Sequence, residues 1–174
     1  VFGGAFHIYD PQGAVVFYSE QKAFKLKEDI RLFSDEQRSL ELLRIQARQI
    51  IDFSAAYTVT DSQTGEVVGT LRRRGFKSML RDEWQIADAQ DNELATIRED
   101  NLFLALFRRF AANFIPQKYV ATMDGATVAI YRQRFNPFVF KIDIDFSADP
   151  EFRLDRRLGL AAAVLLGAIE GRQQ

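Results

Sequence analysis

Several residue types that carry enzyme chemistry are absent or scarce in this chain. The 174 residues include no cysteine, which excludes disulfides, thiolate catalysis and cysteine-ligated zinc. A single histidine, His7, argues against a histidine-based metal site and against a Ser-His-Asp triad. The sequence also contains no Gly-rich phosphate loop and no nucleophile elbow. We therefore expect no enzymatic activity and no cofactor.

The chain also lacks an excess of charge of either sign and a long hydrophobic run. Its formal net charge is -1, so no overall attraction to nucleic acid is expected, and an anion-binding site would have to be a local patch. No stretch reaches the roughly 20 apolar residues that a membrane-spanning helix needs. No signal peptide is expected, and the start at Val1 instead of methionine suggests that an N-terminal segment is missing.

The remaining composition is that of a globular domain with a sizeable core. Hydrophobic residues make up 47% of the chain, charged residues 27%, and sixteen phenylalanines suggest a core lined by aromatic rings. No linker or low-complexity tract interrupts the sequence. We therefore expect one domain over residues 1–174.

One pattern recurs four times: a strand, a turn containing Asp or Gly, and a second strand. Such turns are typical of hairpins, because Gly, Asn and Asp tolerate positive φ. Asp124-Gly125 is the strongest two-residue turn signal among them. The pattern predicts antiparallel hairpins over Phe6–Tyr18, Tyr57–Leu71, Trp84–Ile97 and Tyr119–Tyr131.

Apolar and polar residues alternate in three further segments, which predicts strands. These are Asp29–Phe33, Leu40–Ile51 and Phe138–Phe146. The segment Asn101–Phe114 instead has phenylalanines at helical spacing, so a helix is expected there. That helix either packs on the core or lies on a membrane with its arginines at the headgroups.

The chain closes with the apolar run Leu158–Ile169, within a helix expected near residues 154–170. Twelve helical residues rise about 18 Å, which is short of the roughly 30 Å hydrocarbon core of a bilayer. A helix that is apolar on all sides must be buried, and burial inside the protein is favoured over a membrane anchor. An antiparallel sheet of ten or more strands tends to close into a barrel, and this helix has the size to fill its lumen.

Three stretches, taken in order, carry a family resemblance. They are FHIYDPQGAVVFYSEQKAFKLKEDIRLFSDEQ (6–37), YTVTDSQTGEVVGTLRRRGFKSMLRDEWQIAD (57–88) and FKIDIDFSADPEFRLDRRLGLAAAVLLGAI (140–169). In their order they resemble the Tubby C-terminal-like superfamily, and within it the LURP-one-related and phospholipid-scramblase-like proteins. The resemblance implies a mainly β (α+β) fold, a closed antiparallel β-barrel of about twelve strands around a central hydrophobic C-terminal helix.

A basic cluster is the first candidate binding site. Arg72, Arg74, Lys77 and Arg81 lie within ten residues that contain no acidic side chain. Arg72 and Arg74 share one face of a strand, so two guanidinium groups can face phosphate oxygens. Tubby proteins bind phosphoinositides through basic surface residues, so the resemblance implies a lipid-headgroup site here. The alternative is a solvated strand end that pairs with Asp82 and Glu83.

An acidic strand end is the second candidate. The resemblance to scramblase-like proteins implies a calcium loop at the stretch that holds Asp143 and Asp145. An EF-hand-like loop that starts at Asp143 needs Gly at its sixth position and Glu at its twelfth, where this chain has Ala148 and Leu154. The alternative, an outer strand face followed by an acidic helix start, is therefore favoured over calcium binding.

These observations favour a non-catalytic, membrane-associated binding module that recognises anionic phospholipid headgroups, such as phosphoinositides. The alternatives are scramblase-like lipid transport and a scaffold that binds a protein partner. We expect a cytoplasmic monomer, peripheral at the membrane, that does not bind nucleic acid. Convergence of Arg72, Arg74, Arg132 and Arg134 on one patch would support lipid binding, and their dispersal would weaken it.

Overall fold

A computed structural model describes residues 4–21, 29–48, 55–74, 83–100, 117–134 and 141–169. These ranges form eleven strands followed by one helix, α1 (Arg156–Ile169). The strands are β1 (Gly4–Tyr9), β2 (Val15–Gln21), β3 (Asp29–Phe33), β4 (Glu41–Ala47), β5 (Ala56–Asp61), β6 (Val67–Arg74), β7 (Glu83–Ala87), β8 (Glu93–Glu99), β9 (Lys118–Met123), β10 (Ala126–Arg134) and β11 (Lys141–Asp145).

The strands form one sheet in which spatial order follows chain order from β1 to β11. Each strand pairs antiparallel with the next one along the chain. The four predicted hairpins are confirmed as β1–β2, β5–β6, β7–β8 and β9–β10. The predictions of strands at Asp29–Phe33 and within Leu40–Ile51 are confirmed by β3 and β4, and β11 lies within Phe138–Phe146. The predicted helix Asn101–Phe114 lies outside the described residues.

Aspartate side chains build several of the turns. Asp10, Asp61 and Asp88 follow or end strands, and each accepts a hydrogen bond from the backbone N–H two residues further on, at 2.9, 2.9 and 2.8 Å. A carboxylate in this position replaces the missing strand partner and turns the chain. Asp124 and Gly125, the strongest turn signal of the sequence, have φ values of 49° and 79°. Positive φ at both central residues matches the twist of a two-residue hairpin.

Helix α1 begins with a side-chain cap and is buried along most of its length. The Asp155 carboxylate accepts a hydrogen bond from the backbone N–H of Arg157 at 2.8 Å, which satisfies one free donor at the helix start. Every residue from Leu158 to Ala168 except Leu160 is buried. In the described part of the chain, no helix combines the length and apolarity that crossing a bilayer requires. The predicted burial of the C-terminal run inside the protein is confirmed.

Two glycines bring the helix and the sheet close together. A Cβ added at Gly69 of β6 would lie 3.2 Å from both δ carbons of Leu158, and one added at Gly159 would lie 2.6 Å from the Phe146 ring. The buried Tyr131 hydroxyl of β10 donates a hydrogen bond to the Gly159 carbonyl at 3.1 Å. Helix α1 packs against β5, β6 and β11. Since β6 and β11 are far apart in the strand order, the sheet must curl around the helix.

The predicted closure into a barrel of about twelve strands is wrong for the described residues. The sheet contains eleven strands, and no ladder joins β1 to β11 within the ranges that the structure describes. Direct closure would also break the antiparallel pattern. With an odd number of strands that alternate in direction, the first and the last run the same way. Among the described strands, the sheet therefore curls around α1 with β1 and β11 as its first and last members.

Candidate functional site

Strand β6 places Arg72 and Arg74 on the outer side of the sheet. Gly69 and Leu71 face the core, Gly69 against Leu158 of the helix, and Leu71 is fully buried. Because side chains alternate along a strand, Arg72 and Arg74 share the opposite face. Their side chains are 34% and 54% exposed. The predicted shared outer face of these two arginines is confirmed.

Arg72 is part of a group centred on the carboxylate of Asp91. Asp91 lies in the turn between β7 and β8 with a φ of 68°, and this turn reaches over the outer face of β6. Its carboxylate lies 2.9 Å from Arg72 and 2.8 Å from Arg48, and it accepts a hydrogen bond from the Thr70 hydroxyl at 2.9 Å. The hydrogen bond from Arg48, followed by that from Thr70, lowers the pKa of Asp91, so this carboxylate is charged at neutral pH.

Arg74 is part of a second group on the neighbouring strands. Its guanidinium lies 2.9 Å from the carboxylate of Glu83 and 3.4 Å from that of Glu93. The other oxygen of Glu83 accepts a hydrogen bond from Nε of Arg98 at 2.9 Å. Arg98 lies on β8 opposite Glu83 of β7, so strand register alone brings these two side chains together.

We call the four arginines of these two groups, Arg48, Arg72, Arg74 and Arg98, the arginine face. Within the two groups, four guanidinium groups surround three carboxylates, so one positive charge is in excess. The carboxylates hold the guanidinium groups in place, and the arginine side chains are between 34% and 54% exposed. Ion pairs this exposed contribute only about 0–1 kcal/mol each to the stability of the fold.

The other predicted basic residues do not join this face in the described structure. Lys77 and Arg81 lie outside the described residues. Arg132 and Arg134 lie on β10, which three strands separate from β6, or about 19 Å at the usual strand spacing. They pair with Asp145 and Asp143, two cations against two anions. Arg72, Arg74, Arg132 and Arg134 do not converge on one patch, and this dispersal weakens the lipid-binding hypothesis in its original form.

The two candidate calcium ligands are engaged with arginines. Asp143 contacts Arg134, and Asp145 contacts Arg132 at 3.2 Å. Hydrogen bonds from the Ser147 hydroxyl and backbone, then from Arg132, lower the pKa of Asp145 to about 2. Among the residues that the structure describes, no three His, Asp or Glu side chains are grouped to hold a metal ion. The described geometry matches an outer strand face, the alternative that the sequence favoured.

Sequence reasoning missed Arg48, Arg98 and Asp91. Asp91 lies in the turn of the predicted hairpin Trp84–Ile97, and its contact with Arg48 spans 43 positions in the chain. Alternation along β8 could have placed Arg98 on the outer face, since Ile97 on the same strand is apolar. No local pattern could have shown that Arg48 and Arg72 share one carboxylate.

Comparison with known families gives one match. The sequence profile of the LURP-one-related family matches residues 15–166, which is most of the chain. No curated protein and no solved structure matched the chain. The match covers ten of the eleven described strands in full and most of α1. This chain therefore belongs to the LURP-one-related family.

Proposed function

We propose that this LURP-one-related chain is a non-catalytic binding module whose arginine face binds the phosphate groups of anionic phospholipids at a membrane surface. The observation that carries the proposal is the set of four guanidinium groups around three carboxylates on the outer side of the sheet, supplied by β6, β8 and the residue that follows β4. The absence of cysteine and the single histidine support a non-catalytic role.

The geometry favours phosphate over a simple point charge as the ligand. A guanidinium group donates two parallel hydrogen bonds, which match two oxygens of one phosphate. Arg72 and Arg48 already converge on one carboxylate, so a phosphate in that position would receive donors from both side chains. A phosphoinositide headgroup presents several phosphates, which suits two adjacent arginine groups.

The expected attraction is modest and depends on salt. Each basic residue close to an anionic leaflet contributes about 1 kcal/mol, and the effect falls off within a Debye length. At physiological ionic strength that length is about 8 Å. Binding should therefore be reversible, peripheral and lost at high salt. It does not require α1 to leave the core.

A liposome pulldown with phosphoinositide-containing vesicles tests the proposal. We expect salt-sensitive retention of the protein, and its loss in the double variant Arg72→Glu with Arg74→Glu. The matched control is Arg132→Glu with Arg134→Glu, which reverses the same charges on a group that is neutral overall. Equal loss in both double variants, or no retention of the unmodified protein, would show that the arginine face is not the site.

Asp91→Asn tests the proposal with a substitution that should strengthen binding to the vesicles. Asparagine has nearly the same shape as aspartate and tolerates positive φ, so the turn should be retained. The substitution removes the negative charge shared by Arg48 and Arg72. If phosphate replaces this carboxylate, the variant should be retained more strongly than the unmodified protein at the same salt concentration. Weaker retention of a folded variant would contradict the exchange mechanism.

Scramblase-like lipid transport remains the alternative in which the chain acts on lipid instead of binding it. Transport would require α1 or the segment 101–114 to enter the bilayer. Ten of the fourteen residues of α1 are buried against the sheet, which favours binding at the surface over insertion. A lipid flip assay in proteoliposomes separates the two, since a surface-binding module leaves the rate of lipid exchange between leaflets unchanged.

A further inference from the structure

The connections at one end of the sheet form a surface that neither the core nor the arginine face uses. Because each strand pairs antiparallel with the next, the turns after β1, β3, β5, β7 and β9 all lie at this end, and β11 finishes there before α1 begins. All of these connections lie within the described ranges. We call them together the turn end, and they are residues 10–14, 34–40, 62–66, 88–92, 124–125 and 146–155.

Exposed apolar side chains are concentrated at the turn end. Among the described residues, six large apolar side chains are exposed, and all six lie in these connections or within two residues of them. They are Tyr9, Val15, Val16, Leu40, Val67 and Phe152, with exposed fractions between 37% and 70%. Single exposed apolar residues are normally scattered over a protein surface, so their restriction to one end indicates an interaction surface.

Side-chain contacts join the connections of the turn end to their neighbours. The contacts are His7–Glu36 at 2.9 Å between β1 and 34–40, Ser62–Glu41 at 2.8 Å between 62–66 and β4, Arg157–Asp61 at 2.9 Å between α1 and β5, and Arg153–Asp124 at 2.8 Å between 146–155 and 124–125. The loop 146–155 leads from β11 to α1, which packs against β5 and β6, so this loop spans the end of the sheet.

The turn end is also strongly acidic. In a chain whose net charge is -1, its connections hold ten acidic side chains and two basic ones, a net charge of -8. Four of these carboxylates take part in none of the ion pairs between described residues: Asp10, Asp35, Asp88 and Glu151. The first three accept hydrogen bonds from backbone N–H groups of their own turns, which do not neutralise their charge. An anionic membrane repels such a surface, whereas lysine and arginine side chains are attracted to it.

Phe152 is the most exposed apolar side chain of the turn end, and its backbone is strained. Its side chain is 70% exposed and its φ is 57°, a conformation that bulky residues rarely adopt. The ring centroid lies 4.6 Å from the guanidinium carbon of Arg156, which also lies 4.5 Å from the ring of Phe146. Strain of this kind persists only where the surrounding structure enforces it, and it is concentrated at binding and switch sites.

The buried carboxylate of Asp149 enforces this conformation. Its side chain is 1% exposed and lies 2.8 Å from the guanidinium group of Arg156. It also accepts hydrogen bonds from the backbone N–H groups of Arg153 and Leu154, each at 3.0 Å. The chain on both sides of Phe152 is therefore fixed, and the exposed ring loses little conformational freedom when a partner covers it. Aromatic side chains that are held in this way are typical anchors of protein interfaces.

From these observations we propose that the turn end binds a basic amphipathic helix of a partner protein, with Phe152 as the anchor. The strands here end in hairpin turns and at the start of α1, so this end presents side chains instead of a free strand edge. An amphipathic helix offers an apolar stripe for the exposed apolar side chains. Lysine or arginine residues on both sides of the stripe would face the acidic groups. Charge complementarity therefore selects such a helix over an anionic membrane.

The experiment uses the whole chain and a fluorescent peptide of about 18 residues, in which leucine and lysine form one apolar and one basic face of a helix. The control peptide has glutamate at each lysine position and keeps the same leucines. We expect saturable binding of the lysine peptide that weakens as salt rises, and at least about tenfold weaker binding of the glutamate peptide. No saturable binding of the lysine peptide, or equal binding of the two peptides, would overturn the proposal.

Phe152→Asn tests the anchor. Asparagine tolerates positive φ, so the loop should keep its backbone conformation while the ring is lost. The substitution should weaken binding of the lysine peptide by about tenfold or more. It should change the urea midpoint little, because the ring is 70% exposed. An unchanged affinity of the folded variant would contradict the role of Phe152.

Two charge reversals at opposite ends of the sheet locate the acidic contact. Glu151 is exposed beside Phe152, whereas Asp100 follows β8 at the opposite end and is 47% exposed. Glu151→Lys should weaken peptide binding by about two- to fivefold, the effect of one exposed ion pair, and Asp100→Lys should have less effect. Both variants change the net charge equally. Equal effects would therefore mean that the peptide responds only to the overall charge of the chain, which overturns the proposal.

Hydrogen exchange measured by mass spectrometry tests the site without a variant. In the unmodified protein, the lysine peptide should slow exchange of amides in 62–66 and 146–155, and protection confined to other segments would overturn the proposal. Neither Phe152 nor Glu151 belongs to the arginine face, so the turn end is tested independently of lipid binding. Loss of vesicle retention in Phe152→Asn would mean that the ring enters the lipid interface. A dimer that forms without peptide and is lost in Phe152→Asn would mean that a second copy covers the turn end. Either result overturns the proposal.

Discussion

Replacing Leu158 with alanine tests the central packing claim, that α1 is enclosed by the sheet. Leu158 is 1% exposed, and its δ carbons face Gly69 on β6. Shortening a buried leucine to alanine removes apolar contacts and leaves a cavity, at a cost of about 2–5 kcal/mol. For a domain of this size each kcal/mol lowers Tm by about 2–4 °C, so a loss of about 3 kcal/mol corresponds to about 6–12 °C.

Leu160 provides the matched control on the same helix. It lies two residues further on and is only half-buried, so Leu160→Ala should cost clearly less. Both substitutions change helix propensity equally, and the difference between them therefore reports burial. The chain has a single tryptophan, Trp84, which is 1% exposed on the inner side of β7. Its fluorescence during urea unfolding gives the free energy of unfolding of each variant.

An equal loss of stability in the two variants, or a cost below about 1 kcal/mol for Leu158→Ala, would contradict enclosure of α1. Neither result fits a leucine that is enclosed on all sides. A change in the urea m-value would have a different meaning. It would show that the substitution altered the surface exposed on unfolding, and the comparison would then need Tm values as well.

The same packing and turn contacts determine the effects of three further changes. Gly69→Ala should destabilise the fold by more than the roughly 1–3 kcal/mol that overpacking usually costs, because the new Cβ would lie 2.3 Å from a backbone carbonyl oxygen of β7. A urea midpoint close to that of the unmodified protein would contradict this. Tyr131→Phe removes the hydrogen bond to the Gly159 carbonyl and should cost about 0.5–1.5 kcal/mol in urea unfolding, whereas an unchanged midpoint would mean that the bond contributes nothing. Hydrogen bonds lower the pKa of two turn carboxylates, mainly from Arg157 for Asp61 and from Asn92 for Asp88. The free energy of unfolding should therefore stay constant above about pH 5. It should fall as the pH drops below 3.8, the pKa of an aspartate in the unfolded chain. Urea midpoints across this range check the sign, and Asp88→Asn should show a shallower fall.

The hairpins could be predicted because their signals are local. A turn such as Asp124-Gly125 is determined by the φ values that its own residues tolerate, and apolar alternation on each side defines the flanking strands. Strand β4 was similarly predictable, although its composition also suits a helix, because Leu43 and Ile45 alternate with arginine and glutamine. These features depend on residues within about ten positions of one another.

The arginine face was only partly predictable, because its ion pairs join residues that are distant in sequence. The shared face of Arg72 and Arg74 followed from strand alternation. Pairing with Glu83 was the stated alternative to a binding site, and the register of β6 and β7 brings Arg74 and Glu83 together. The sharing of Asp91 by Arg48 and Arg72 depends on how the β7–β8 turn lies over the outer face of β6. The dispersal of Arg132 and Arg134 depends on the number of strands between β6 and β10.

Sequence alone determined the elements of this protein: the order of its hairpins, the aspartates of its turns and a C-terminal helix too apolar to face water. These follow from backbone preferences and from the cost of exposing apolar surface, which act at short range. Tertiary structure alone decided that the first and last described strands run in the same direction and which carboxylates hold the arginines. Both depend on strand count and register, which are properties of the whole sheet.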